Sequence, residues 1–194
     1  HGQALAEICE RHVKQRILTE AISLPPIPDA VLDEHPAVRE ALHELEAAGY
    51  PTLTLDASLG GQFPVVCVVL FNRDNGTSFA SFGAHPNFAV ALERTVTELL
   101  QGRRLDQLDV FAEPTFDNEL VADPTNLETH FTDSSGHLGW DMLRSPATHA
   151  FTRWSFDSNT QSTRKHLIDL LHGLGHEVYI ADYEHLGVSA CRIL

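Results

Sequence analysis

Two short runs of this 194-residue chain carry carboxylates and guanidinium groups at helical spacing: Ala4-Leu5-Ala6-Glu7-Ile8-Cys9-Glu10-Arg11 and Arg94-Thr95-Val96-Thr97-Glu98-Leu99-Leu100-Gln101-Gly102-Arg103. At 3.6 residues per turn, Glu7, Glu10, Arg11 and Lys14 fall on one side of a helix, while Leu5, Ile8, Cys9, Val13 and Ile17 cover much of the other. In the second run Arg94, Glu98 and Gln101 share a face, and Leu92, Val96 and Leu99 point away from it. Carboxylates on two such faces are hard oxygen ligands suited to Mg²⁺, and arginine forks match phosphate oxygens. Together they outline a nucleotide site. The same residues also fit plain solvated helices, because Glu7 to Arg11 and Glu10 to Lys14 are i,i+4 pairs in the favourable order, each contributing about 0.2–0.5 kcal/mol. Arg94 to Glu98 runs in the less favoured order, so helix support explains that pair less well.

The elements that must position these faces follow from periodicity. The first helix is broken at Leu24-Pro25-Pro26-Ile27-Pro28, where proline removes an N–H and restricts its predecessor. Val38, Leu42, Leu45 and the closing Gly49 predict a helix over 36–48, with Pro36 near its start. Residues 52–56 and 64–71 read as strands, the second an uninterrupted apolar run suited to a sheet centre. Residues 72–76 form a turn, and 78–82 return as a strand. The helix bearing Glu98 begins near Pro86 or Asn87. Beyond Gly102, residues 109–123 read as loop, 125–135 and 163–172 as helices, and 177–181 and 188–193 as strands. The fold expected is α+β, a mixed α/β sandwich, and the 43% of hydrophobic residues can furnish the core of one domain spanning 1–194.

Composition excludes several classes. A formal charge of −14 argues against nucleic acid or an anionic membrane as partner, so ATP would need a locally basic pocket. Cys9, Cys67 and Cys191 are isolated and odd in number, which indicates neither a disulfide framework nor a zinc site and fits a reducing cytosol. No apolar run approaches the roughly 18 residues of a membrane span, and no signal peptide precedes the first helix, so a cytoplasmic location is expected. Of the twelve histidines, His172 and His176 have i,i+4 spacing, but Gly173 and Gly175 between them oppose the helix a metal pair requires. Gly60-Gly61 lacks the Lys-Ser/Thr ending of a P-loop and reads as a loop before the buried strand. Asn75-Gly76-Thr77 is better explained by turn chemistry than as a glycosylation acceptor. Cys67, in the most apolar run, reads as a structural thiol.

Five strings in order resemble the YcaO family: Glu7-x-x-Glu10-Arg11, Asp56-Ala57-Ser58-Leu59-Gly60-Gly61-Gln62-Phe63-Pro64-Val65, Glu98-x-x-Gln101-x-Arg103, Thr125-Asn126-Leu127-Glu128-Thr129-His130-Phe131, and Tyr179-Ile180-Ala181-Asp182-Tyr183-Glu184-His185-Leu186-Gly187. The resemblance covers essentially the whole chain. It is closest to the branch that assists methylthiolation of a small-subunit ribosomal protein. The resemblance implies ATP- and Mg²⁺-dependent activation of a backbone amide: a nucleophile adds to the carbonyl, and the oxygen is phosphorylated and expelled as phosphate. Amide oxygen is a poor leaving group and its phosphate ester a good one, so the protein chiefly positions Mg²⁺·ATP and neutralises charge. By resemblance, Glu7, Glu10 and Glu98 match Mg²⁺-binding positions, and Arg11 and Arg94 match positions near the phosphates. Gln101 and Arg103 belong to the same nucleotide-binding motif without an individual contact assigned.

The chain departs from the family pattern in having no earlier Glu-x-x-Glu motif and no upstream Lys, Ser and Asn groups before His1. With His1-Gly2-Gln3 opening directly into a helix, the expectation is a partial YcaO-like domain that holds about half of the nucleotide site and is inactive alone. The partner implied is a peptide or protein substrate. The alternative is a non-catalytic scaffold that docks a methylthiotransferase or peptide without turning over ATP, and an unrelated amide ligase is opposed by the lack of an ATP-grasp or P-loop signature. An uncovered sheet edge and apolar helix face would further favour a homo-oligomer.

Overall fold

A computed structural model describes residues 2–100, 102–104, 107, 111–144, 146–156 and 160–194. Thirteen elements are seen among them, in the order α1 (Gly2–Glu20), α2 (Asp29–Leu32), α3 (Pro36–Ala47), β1 (Thr52–Asp56), β2 (Val65–Phe71), β3 (Ser78–Ala84), α4 (Phe88–Leu99), α5 (Asn118–Ala122), α6 (Pro124–Thr132), α7 (Trp140–Leu143), α8 (Thr160–Gly173), β4 (Ile180–His185) and β5 (Val188–Ile193). The fold is α+β, as the sequence predicts.

The sheet is organised by β2, whose residues are apolar at every position. Successive side chains of a strand point to opposite faces, so an all-apolar strand needs cover on both. Val65, Cys67 and Val69 enter one core with Leu5, Ala6, Cys9, Val13 and Ile17 of α1. Val66, Val68 and Leu70 enter a second with Val38, Leu42 and Leu45 of α3 and Phe88, Leu92, Val96 and Leu99 of α4. Antiparallel neighbours flank β2 in the order β1-β2-β3, with Cys67 opposite both Leu55 and Phe82. The proline-rich break before α2 lies along β1: Ile27 N–H donates to the Thr54 carbonyl and Asp56 N–H to the Pro25 carbonyl, each at 2.9 Å. Prolines are tolerated there because a sheet edge leaves their missing N–H unneeded.

Behind α1 lie α8, α5 and α6. Each short helix near the candidate site begins on a side-chain cap. Asn87 accepts from Val90 N–H ahead of α4, Asp117 from Glu119 and Leu120 N–H ahead of α5, and Asp123 from Thr125 N–H ahead of α6. Residues 109–123 are therefore not all loop. The five-residue α5 is too short to show a helical period and depends on its Asp117 cap and on packing against α1. The expected helix over 125–135 stops at Thr132, because Ser134 takes a left-handed φ of 63°. The last hairpin is displaced from its predicted limits. Leu186 and Gly187, with φ of 52° and 75°, form its two-residue turn, and this pairs His185 with Val188 and starts β4 at Ile180.

The contact that fixes α4 on the sheet is a close approach at Gly83. A Cβ there would overlap the Thr95 hydroxyl and sit 2.9 Å from the Thr95 nitrogen and 3.0 Å from its Cα. Thr95 is fully buried, its hydroxyl donating to the Ala91 carbonyl at 2.7 Å. Gly83→Ala is expected to push α4 off β3 and destabilise the chain by about 1–3 kcal/mol, the usual range for overpacking, read as a lowered urea midpoint with an unchanged slope.

Candidate functional site

Helices α1 and α4 lie on opposite faces of the sheet, and both pack on β3, its edge strand. Their apolar stripes face the two cores, which leaves the polar stripes free to converge past that edge. Glu10 registers the convergence. Its carboxyl is raised from about 4.5 to about 7 by burial, opposed by Lys14 and then raised again by the charges of Glu98 and Glu7, with Arg11 a smaller opposing influence. Two carboxylates of α1 and one of α4, far apart in sequence, thus share one field. Glu7 is exposed and accepts from Gln3 Nε2 at 3.2 Å, whereas Glu98 is half-buried.

The arginines differ in their surroundings. Arg94 Nη2 donates to Glu98 Oε1 at 3.0 Å, so this i,i+4 pair is formed despite its less favoured order. Its Nε is buried without a hydrogen-bond partner. Arg103 Nη2 donates to the Asp133 carbonyl at 3.1 Å, and its guanidinium lies over the rings of Phe79 and Phe111 at 5.4 and 5.5 Å. Its Nη1 is likewise buried and unpartnered. A buried guanidinium N–H without an acceptor is costly, and an anion oxygen is the partner that would relieve it. Arg11 instead extends over Phe131, 6.0 Å from the ring centroid, and lines a cavity of about 410 Å³ with Ile8, His12, Leu171 and Val178. Gln101 lies outside the described residues.

Among the described residues, no three His, Cys, Asp or Glu side chains are close enough together to hold a metal ion. Glu7 and Glu98 are therefore each within electrostatic reach of Glu10, but the three are not at coordination distance. The donor set still fits a hard divalent cation with bound phosphate. Carboxylate oxygens suit Mg²⁺, which keeps several waters and takes only one or two protein ligands, and the orphaned guanidinium N–H groups suit the phosphate.

One charged residue behaves differently from its place in the sequence pattern. Lys14 shares the Glu7–Glu10–Arg11 side of the helix, yet it is only 6% exposed. Its Nζ donates to the His130 carbonyl at 2.6 Å and to Ser134 Oγ at 3.2 Å. Burial pulls its pKa down to about 8, against the opposing charge of Glu10. The sequence signal was its position beside Val13 and three residues before Ile17, at the border of the apolar stripe. Asn126 and His130 of α6 are buried as well. Asn126 Nδ2 donates to the carbonyls of Val121 and His137, and His130 Nε2 meets the His137 carbonyl at 3.0 Å. Cys67 is fully buried, and burial raises its thiol pKa far above the ordinary value, so it is structural; Cys9 is pushed up to about 12 in the same way.

No helix among the described residues is long and apolar enough to cross a membrane. The chain is 60% identical over 192 residues to the ribosomal protein S12 methylthiotransferase accessory factor YcaO of Escherichia coli (strain K12), and 54% identical over 192 residues to an uncharacterized protein of Haemophilus influenzae. Each alignment covers 99% of this chain and 33% of the relative, so the chain spans about a third of the length of the curated relatives it matches. Its fold is similar to that of the heterocyclase TruD, with a TM-score of 0.65 at 20% identity, covering 100% of this chain and 26% of that one. A heterocyclase solved in complex with substrate and cofactor gives a TM-score of 0.64 at 18% identity, covering 99% of this chain and 25% of that one. Residues 2–194 match the family model described as YcaO cyclodehydratase, ATP- and Mg²⁺-binding, and the chain belongs to the YcaO family.

Proposed function

We propose that this chain supplies one side of a Mg²⁺·ATP site that activates a backbone amide of a peptide or protein substrate. The observation that carries the reading is that Glu10 of α1 lies within the electrostatic influence of Glu7 and of Glu98 on α4, and that Arg94, paired with Glu98, keeps a buried, unpartnered Nε. One or two of Glu7, Glu10 and Glu98 would bind Mg²⁺ directly and the rest through its waters, and Arg94 and Arg103 would donate to phosphate oxygens. Arg11 would balance the carboxylates from the flank that faces Phe131. When bound, Mg²⁺·ATP would supply the phosphoryl group that turns an amide oxygen into a leaving group. The residues themselves orient and neutralise, the roles that dominate phosphoryl transfer. The three free cysteines accord with a reducing, cytoplasmic setting.

A second reading is favoured by the name of the Escherichia coli relative. In it the fold docks a methylthiotransferase or its ribosomal-protein substrate without turning over ATP. Glu10→Ala in the full-length protein separates the two. The first reading expects a folded variant with ATP turnover abolished, because a metal ligand is lost without opening a core cavity. Turnover near the unmutated rate in a folded variant would assign Glu10 another role.

The 194-residue chain alone should bind Mg²⁺·ATP far more weakly than the full-length Escherichia coli relative, since it carries a single Glu-x-x-Glu motif. Each missing charge-assisted contact costs about 1.5–3 kcal/mol, and about 1.4 kcal/mol is tenfold, so several together exceed a hundredfold. Calorimetry on both proteins in one Mg²⁺ buffer measures this, and matching affinities would show that the residues present suffice.

Glu10 also predicts a pH dependence. Its pKa is raised in the folded chain, so its contribution to stability is fully present below about pH 4.5 and is lost as the pH climbs through about 7. Glu10→Gln should therefore have a higher urea midpoint than the unmutated chain at pH 8 and show no such gain at pH 4.5. Equal midpoints at pH 8 would mean that the carboxylate is not penalised by its surroundings.

A further inference from the structure

The proposed function leaves Lys14 without a role. Its ammonium is buried between the rings of Phe82 and Phe131, 5.4 and 5.7 Å from their centroids. Burying such an ion costs several kcal/mol unless it is well hydrogen-bonded, and an apolar side chain of the same length would fill the space without that cost. What the lysine provides is its pair of acceptors. The His130 carbonyl and Ser134 Oγ both belong to the turn that closes α6, where the helix ends on the left-handed Ser134. The carbonyl of Asp133 in the same turn takes the Nη2 of Arg103. The carbonyl end of this nine-residue helix, the negative end of its dipole, is thus gripped by two cations, one from α1 and one from the segment that follows α4. Arg103 Nη1 is left buried and free to donate.

We infer that Lys14 is a positioning residue: by pinning the turn 130–135 to α1, it fixes the Asp133 carbonyl that holds Arg103, and so sets where the free Nη1 of Arg103 stands relative to the α1 carboxylates. The inference rests on the proposed function only for the identity of the anion that Arg103 meets. The link between Lys14 and Arg103 exists without nucleotide. A lysine that merely filled space would lower stability when replaced and leave Arg103 untouched.

The test uses the full-length protein with Lys14→Met, Arg103→Ala and the double variant, each checked for folding by circular dichroism. Amide hydrogen exchange of the segment spanning 130–135, measured without nucleotide, should quicken by about tenfold or more in Lys14→Met, as expected when a charge-assisted hydrogen bond is lost. Mg²⁺·ATP affinity should fall by about tenfold in Lys14→Met, and adding Arg103→Ala should cost less than about twofold more, because residues acting through one network are not additive. Lys14→Arg, which keeps the charge, should recover part of both. Unchanged exchange at 130–135, or independent and additive losses of affinity, would overturn the inference. If the unmutated full-length protein binds no Mg²⁺·ATP, the proposed function fails, and exchange alone decides the inference: non-additive effects of the two substitutions sustain it, and additive ones refute it. Should Lys14→Met not fold, Ser134→Ala removes one acceptor from the same ammonium and is read in the same way.

Discussion

The structure depends on a strand that must be covered on both sides. Because β2 presents valine, cysteine, leucine or phenylalanine at every position, neither face of the central sheet can meet water, and two helical layers are required. Placing α1 on one face and α3 with α4 on the other satisfies that requirement. It also places two amphipathic helices back to back across the sheet. Both pack on the edge strand β3, so their polar stripes converge around that edge, and residues some ninety positions apart share one electrostatic environment. The tight approach of Gly83 to Thr95 keeps α4 close enough for this to happen.

Within that environment, charge is arranged against its own solvation. Glu10 is held where burial and two neighbouring carboxylates oppose its ionisation, and Lys14 where burial opposes its protonation. A solvated helix face would shift neither group so far, since water screens exposed i,i+4 pairs to tenths of a kcal/mol. The unpartnered guanidinium nitrogens of Arg94 and Arg103 are of the same kind, donors placed where only a further acceptor would satisfy them. Groups so placed weaken a folded chain unless something binds to them, and perturbed groups of this sort concentrate at functional sites.

Much of this was legible in the sequence. The period of α1 and α4, the all-apolar β2, the Asn-Gly turn, the break at the prolines and the helix start near Pro86 or Asn87 are local signals, and each element they indicated is present. The strings around Glu7, Asp56 and Glu98 also identified the family. Signals failed where the element is too short to repeat its period, as in α2, α5 and α7, or where a turn rather than a run of residues sets the limits, as at Leu186-Gly187. For Lys14, sequence spacing put it with the charged face. The structure buries it, because α6 and the turn after it pack over that part of α1.

What the sequence determined by itself is therefore the longer elements, the side of α1 and α4 that carries most of the charge, and the family, because these depend on neighbours a few residues apart. Which charges meet was decided only by tertiary structure. Glu10 reaches the field of Glu98, Arg94 bonds its own helical neighbour, Arg11 turns to Phe131, and Lys14 and Arg103 grip one turn of α6. The physical reason is that burial and electrostatic coupling depend on distance through space. That distance was fixed when the two faces of β2 drew α1 and α4 to opposite sides of one edge strand.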